Sequence, residues 1–544
     1  MRQFIAISAL LVSCSCLAPP LQARTFFKGD FERPADIPAS DSEAARFLTQ
    51  ATFGPVQADI DKVRTIGRSR WIDQQMLQPT TPAFPYMMGL RDVPKIHGRR
   101  MDRHLHTFVV APDQLRQRMA FALSEIFVIS SQHPALITDP SPQHFAGYWD
   151  MLADGAFGSY AVALKNVTHH ITMGKYLSHF RNRKAGPGHE PDENYAREIM
   201  QLFSVGLKEL NIDGTPMLDA GGNPIPTYAQ GAITDLAKVF TGFTYTNAGN
   251  NNIFTGSYGA FGPMKCFDSE HDMTAKTVIG NTVLPAAVGC NDEVDRVINL
   301  LASHRNAAPF IARLLIQRFT TSNPSRAYVR RVAEKFRDNG DREAGDLGAV
   351  VRQILLDPEA RQYPPPAGFG KIREPLLQVT AILRAWPFQL PVPGADGNLP
   401  MARNSIPVTQ VPLNAPSVFN FYSPDYQPPG ALQAAGIYAP ELESVEEASV
   451  YSLSNSKAYY TFSAYVGGNT TDVRPYIDLD ALGALSDAEL IGEIDRRMLY
   501  GTMSPGMRAI LAEMLPPLAS ANGRERARSA ILVAALSPEF VTQR

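Results

Sequence analysis

The sequence predicts a mainly α fold: a large multi-helix globular domain with a small β-hairpin and irregular excursion around 208–290 and a proline-rich ordered loop around 387–440. Three observations carry this. Apolar residues recur at helical spacing along most of the chain, as in "DQLRQRMAFALSEIFVIS", where Leu115, Met119, Ala122, Ile126 and Ile129 make one stripe. Helix-start chemistry precedes several of these runs. Asp-Gly and Gly-Gly-Asn turn signals gather in "NIDGTPMLDAGGNPIPTY", just after residue 207. A chain of 544 residues, 44% hydrophobic and 19% charged, has ample material for a large core. Its net charge of −2 excludes a global basic footprint for nucleic acid.

Taken in order, residues 1–23 ("MRQFIAISALLVSCSCLAPPLQA") read as a secretory leader: Arg2, a short apolar run, then small residues. The run is too short for a membrane span, and no transmembrane segment is expected in the mature chain. Two processing routes stand open. Cleavage after Ala23 gives plain export, which the sequence favours; "LVSC" as a lipobox makes Cys14 a lipidated first residue and the protein an outer-membrane lipoprotein. Either route predicts an exported protein, periplasmic or extracellular.

Residues 40–207 form an N-terminal helical part, opened by the "SDSE" capping pattern of Ser40 and Glu43 and a helix that Gly54-Pro55 stops. Within it, "KIHGRRMDRHLH" (Lys95 to His106) reads as a solvated basic loop. Residues 208–290 are the excursion, interrupted by one helix, "AQGAITDLAKVFTGF". Residues 291–386 are helical again, 387–440 hold the proline and aromatic loop, and 441–544 close the chain with helices begun by Ser486/Glu489 and by Ser504-Pro505. The span 40–544 reads as one continuous domain. With Cys14 and Cys16 in the leader, Cys266 and Cys290 are the natural disulfide pair for an oxidising compartment.

"AARFLTQATFGP", "LRQRMAFALSEIFVIS", "ENYAREIMQLFSVGL", "HDMTAKTVIG", "FIARLLIQRF", "FGKIREPLL" and "PSVFNFYSPDYQPPG" occur in this order. Together they resemble the bacterial domain-of-unknown-function family numbered 1800, over nearly the whole mature chain. The resemblance implies an exported, mainly helical bacterial protein, often encoded beside an exported partner of the domain-of-unknown-function family numbered 1501. It assigns no activity and no catalytic residues. Its most recognisable motif falls on Glu193, Asn194, Tyr195, Ala196, Arg197 and Glu198.

On a helical wheel Asn194, Arg197, Glu198 and Gln201 share one arc, opposite Tyr195, Ile199, Met200, Leu202 and Phe203. The plain reading is a solvated face, with Asp192 as N-cap and Gly206 as the C′ stop. The sharper reading is a functional cleft, with Arg197 and Glu198 each meeting a partner on another segment. A second candidate follows Cys266 in "FDSEHDMTAK": His271 with Asp272 suits general acid/base work, and Asp268, His271 and Asp272 offer ligands to a metal. A polar surface turn is the plain alternative there. "IREP" reads as a helix-entry network around Arg373 and Glu374, and the aromatics Phe419, Phe421, Tyr422 and Tyr426 as a loop packing its own small core. G-x-S-x-G, H-E-x-x-H, G-x-G-x-x-G, P-loop and haem-attachment motifs are absent from the sequence.

Two functions follow. One is a hydrolytic enzyme acting on an envelope or extracellular polymer, with Glu198 as acid/base, Arg197 and Asn194 orienting substrate, and His271 with Asp272 completing the site. The other is a non-catalytic envelope binding or assembly protein working with the co-encoded exported partner.

Overall fold

The structure is a computed structural model, and it describes residues 36–90, 96–137, 142–249, 252–256, 261–389, 410–462, 474–475, 477–520 and 522–544. Residues 1–23, including Cys14, and Lys95 lie outside the described residues. Twenty-five α-helices and four two-stranded antiparallel sheets make up the regular structure among the described residues. None of these helices is long and apolar enough to cross a membrane.

Local chemistry accounts for many of the helix ends. Ser486 accepts from the Glu489 amide while the Glu489 carboxylate reaches back, a complete capping box. Ser504 caps the helix Pro505–Met514, with its proline in the first turn. Ser40 accepts from the Glu43 amide at 3.2 Å, but Glu43 returns to the Ala39 amide, one residue short of the expected box. The stripe read through Ile129 is helical only from Gln114 to Ser124. The basic stretch is a correction. It belongs to the helix Ile96–Val110, with Arg100 and His104 buried rather than solvated. The Arg100 guanidinium donates to the Pro412 carbonyl at 3.1 Å and lies over the Phe145 ring.

Two main cores result. The larger runs from Ala44 through the N-terminal and central helices to Leu377 and Leu413. The second gathers Leu105 and Val109 with the C-terminal helices out to Phe540. The helix Pro375–Ala385 joins them, giving Leu376 and Leu377 to the first and Val379 and Ile382 to the second. A short sheet at its entry pairs Lys371 with Gln543 and Ile372 with Thr542.

The excursion is irregular, as expected: isolated bridges (Lys208–Pro226, Leu210–Pro216, Leu218–Pro224), then short sheets pairing 243–244 with 265–266 and 276–278 with 282–284. The Cys266–Cys290 disulfide closes it, with Cα atoms 6.2 Å apart across a sequence separation of 24. A loop of that length constrains the unfolded chain by about 3 kcal/mol. The double variant Cys266→Ser/Cys290→Ser is therefore expected to lose about that much stability in chemical denaturation. A loss below about 1 kcal/mol would mean that the surrounding packing holds the excursion without the bond.

Candidate active site at Glu198 and Tyr228

The helix Asn194–Gln201 starts where Asp192 accepts the Asn194 amide at 2.8 Å, and the turn after it ends at Gly206, whose φ of 73° suits glycine. Its apolar face is fixed by Tyr195, which stacks on His179 (3.9 Å between centroids), packs edge-on against Phe240 and shares a 2.7 Å hydrogen bond with Thr168. Glu193 clamps the opposite side. It accepts from Arg197 at 3.1 Å, from Gln230 at 2.9 Å and from Thr234 at 2.7 Å, tying this helix to the helix Gln230–Val239.

The polar arc read from the sequence is thus split. Arg197 pairs with Glu193 one turn earlier, not with another segment, and Asn194 is exposed. Glu198 turns inward instead, with 6% of its surface accessible and Oε2 without a hydrogen-bond partner. Burial raises its carboxyl above the ordinary range, and Arg197 opposes this only in part. Two phenols stand near it. Tyr176 and Tyr228 are each pushed up to about 12, by burial first and then by the Glu198 charge. The Tyr228 hydroxyl is buried and unpartnered, and His133 meets the Tyr176 ring edge-on at 5.0 Å. Tyr228 also lines a cavity of about 560 Å³ whose wall includes Thr227, Thr234, Asp235, Thr277 and Asn281. A buried carboxyl raised above its ordinary range thus lies near a tyrosine that lines a polar cavity, an arrangement suited to general-acid chemistry.

His271 and Asp272 do not join this site. His271 is fully buried, with Nε2 3.0 Å from Glu293 and Nδ1 3.1 Å from the Thr241 carbonyl. Both ring nitrogens are therefore occupied. Lys276 bonds the other Glu293 oxygen at 3.0 Å and the Asp272 carbonyl at 2.6 Å, while the Asp272 side chain caps the Thr274 amide. Asp268 accepts the Cys290 amide at 2.8 Å, at the start of the helix Cys290–Ser303. Each polar group of the second candidate thus holds the excursion together. Neither His271 nor Asp272 lines the cavity beside Tyr228. The metal candidates fare the same way. Asp268, His271 and Asp272 form no ligand cluster among the described residues; Cys266, His271 and Cys290 have ligand atoms within 4.8 Å, but their sulfurs are bonded to each other.

A larger assembly, unread in the sequence, lies in the main core. Lys371 Nζ stands 3.1 Å from Glu374 and 3.0 Å from Glu441, and Arg318 Nε 3.2 Å from Glu125. Gln410 donates to Glu374 at 2.7 Å and to Glu125 at 3.2 Å, and Arg318 lies over the Tyr422 ring at 4.5 Å. All of these are buried. The two carboxyls are set apart by their surroundings. Burial and the neighbouring Glu374 push Glu125 well above the carboxylate range. For Glu374 burial acts upward too, but Lys371, Arg118 and Arg318 outweigh it and hold its carboxyl at about 2. The "IREP" network is therefore much wider than a helix entry, and Tyr422 packs into this charged centre rather than into a core of its own loop. Phe419 is exposed.

The fold and these two centres define a large helical domain organised around buried polar groups. A family model described as a protein of unknown function, DUF1800, matches residues 46–542, and the chain belongs to that family. No curated protein and no solved structure matches it.

Proposed function

We propose that the chain is an exported hydrolytic enzyme acting on an envelope or extracellular polymer, with Glu198 as its acid/base group. The observation that supports this is a buried carboxyl, raised above its ordinary range and with one unpartnered oxygen, near two phenols of which one lines a polar cavity. Tyr228 connects Glu198 to the cavity, where substrate enters. Arg197 is held by Glu193 and orients the rim, and Asn194 is free to contact a long substrate from the exposed side. His271 and Asp272 have no part in this reading, because their polar groups are engaged in the disulfide-closed excursion.

Replacing Glu198 by Gln tests the reading first through stability. Because no cation pairs closely with the carboxylate, E198Q is expected to melt at or above the wild-type temperature, as active-site charges often oppose stability. Hydrolysis of glycan and peptide polymers should then fall by about 10²-fold or more in the variant. A loss of about 3–5 kcal/mol would instead make Glu198 part of a buried ion pair and end the proposal.

The second reading, a non-catalytic envelope protein assembling with a co-encoded exported partner, draws support from the ionic centre. Arg118, Glu125, Arg318, Lys371, Glu374 and Tyr422 all fall in the motifs that carry the family resemblance, so much of that resemblance records architecture. Co-purification with an exported partner, unaffected by E198Q, would favour it.

A further inference from the structure

A second cavity, of about 200 Å³, opens in the C-terminal half beside the helix that joins the two cores. Its wall is built in an unusual way. Residues Asp495–Leu499 form a single π-helical turn, a geometry found mostly at functional sites. Tyr500 ends that turn with φ 56°, a left-handed conformation that a bulky residue seldom adopts. The turn presents Arg496 and Arg497 to the cavity, and Trp386 and Arg384 face them from the end of Pro375–Ala385.

The polar groups here are almost all donors. Arg496 and Arg497 share one carboxylate, Glu493, at 2.7 and 2.5 Å. Arg497 uses Nε for it and lies 5.0 Å over the Trp386 ring. Trp386 is buried, and its Nε1–H has no acceptor. Arg384 is buried; it donates to the Gly54 carbonyl at 2.6 Å and to the Val109 carbonyl, and its nearest carboxylate is Asp59 at 3.5 Å. The turn's own carboxylate, Asp495, is committed to Arg508 at 2.7 Å. Three guanidiniums thus share two carboxylates, Glu493 and Asp59. Behind Tyr500, the positive charge continues. Arg373 is buried with Nε and Nη1 unpartnered, and Lys457 near it is pulled down to about 8, by burial first and then by Arg373. A surplus of cations, partly buried, and an orphaned indole donor both ask for an acceptor bearing negative charge.

We propose that this cavity binds a small organic oxyanion, a carboxylate or a phosphate ester on a compact apolar body. The guanidiniums of Arg496 and Arg497 take the charged group, with Trp386 Nε1–H as a further donor. The apolar wall of Val56, Ile60 and Pro387 takes the body. The site is independent of Glu198.

The test is calorimetric titration of the full chain at low salt with four probes: acetate, benzoate, inorganic phosphate and phenyl phosphate, with chloride as control. Saturable one-to-one binding of benzoate or phenyl phosphate is expected, tighter than that of acetate or inorganic phosphate respectively; which of the two ring-bearing probes binds better names the head group. Arg496→Gln, at a half-exposed position that tolerates change, and Arg497→Gln should each weaken binding about tenfold or more. Arg524→Gln, an exposed arginine paired with Asp480 elsewhere on the surface, removes the same charge and should leave binding unchanged. Absence of saturable binding by all four probes up to about 10 mM, or equal weakening in Arg524→Gln, would overturn the proposal.

Discussion

Lys371→Met is expected to cost about 3–5 kcal/mol, the largest effect of any single substitution considered for this chain. The ammonium is fully buried between Glu374 and Glu441, 3.1 and 3.0 Å away, so its removal leaves negative charge in the core with no nearby solvent. Glu125→Gln should behave differently, although Glu125 is as deeply buried in the same assembly. Burial and Glu374 push the Glu125 carboxyl well above its ordinary range and so favour its neutral form, which an amide of the same shape mimics. A change within about 1 kcal/mol is expected. Urea denaturation of both variants checks the pair, provided each unfolds in one transition. Similar losses in the two would mean that Glu125 is ionised in the fold, and a Lys371→Met variant as stable as wild type would mean that the centre is hydrated.

His104→Phe is expected to stabilise, and increasingly so in acid. The His104 ring is completely buried between Phe108 and Trp149, with neither nitrogen hydrogen-bonded. Phenylalanine keeps the aromatic contacts and removes two unsatisfied polar atoms, worth about 1–3 kcal/mol at pH 7.5. The pH dependence has a definite sign. Burial, then Arg100 and Arg103, hold the folded imidazole well below its ordinary value, whereas the unfolded chain takes up a proton as pH falls through about 6.5. Above that pH the group is neutral in both states and titration contributes nothing. Below it, wild type loses about 1.4 kcal/mol per pH unit from this residue, and the variant does not. Melting curves of both proteins from pH 7.5 to 5 should diverge. A constant gap would show that the ring reaches water or a charged partner.

The legible parts of the fold were those decided within a few residues. Capping chemistry at Ser486 and Ser504, the Asp192 carboxylate at a helix start and the left-handed Gly206 were each specified locally. The Cys266–Cys290 bond was legible by elimination, because the other two cysteines fall in the N-terminal stretch that reads as a leader. What failed were faces. Glu198 and Arg197 share an arc of one helix, yet Arg197 stays with its neighbour Glu193 while Glu198 is buried, and a wheel carries no information about what covers a face. The basic stretch failed for the same reason: Arg100 is buried because a carbonyl more than three hundred residues away receives it. The ionic centre left one trace in the sequence, which is charged residues standing inside otherwise apolar motifs, such as Arg318 in "FIARLLIQRF". Read together rather than one motif at a time, those charges pointed to a shared destination.

The short pairing of Lys371 and Ile372 with Thr542 and Gln543 has a consequence in time. The strand that completes the entry to the ionic centre is synthesised long after Lys371, and Arg46, in the first described helix, bonds the Arg544 carbonyl. At roughly 5–20 residues per second, translation makes the first helix wait on the order of half a minute or more for this partner. Until then the strand Lys371–Ile372 lacks its partner, so the entry to the ionic centre is incomplete. Folding of this entry is gated by a distant, later segment, and the helix Asp41–Ala51 and the strand Thr542–Gln543 become native together.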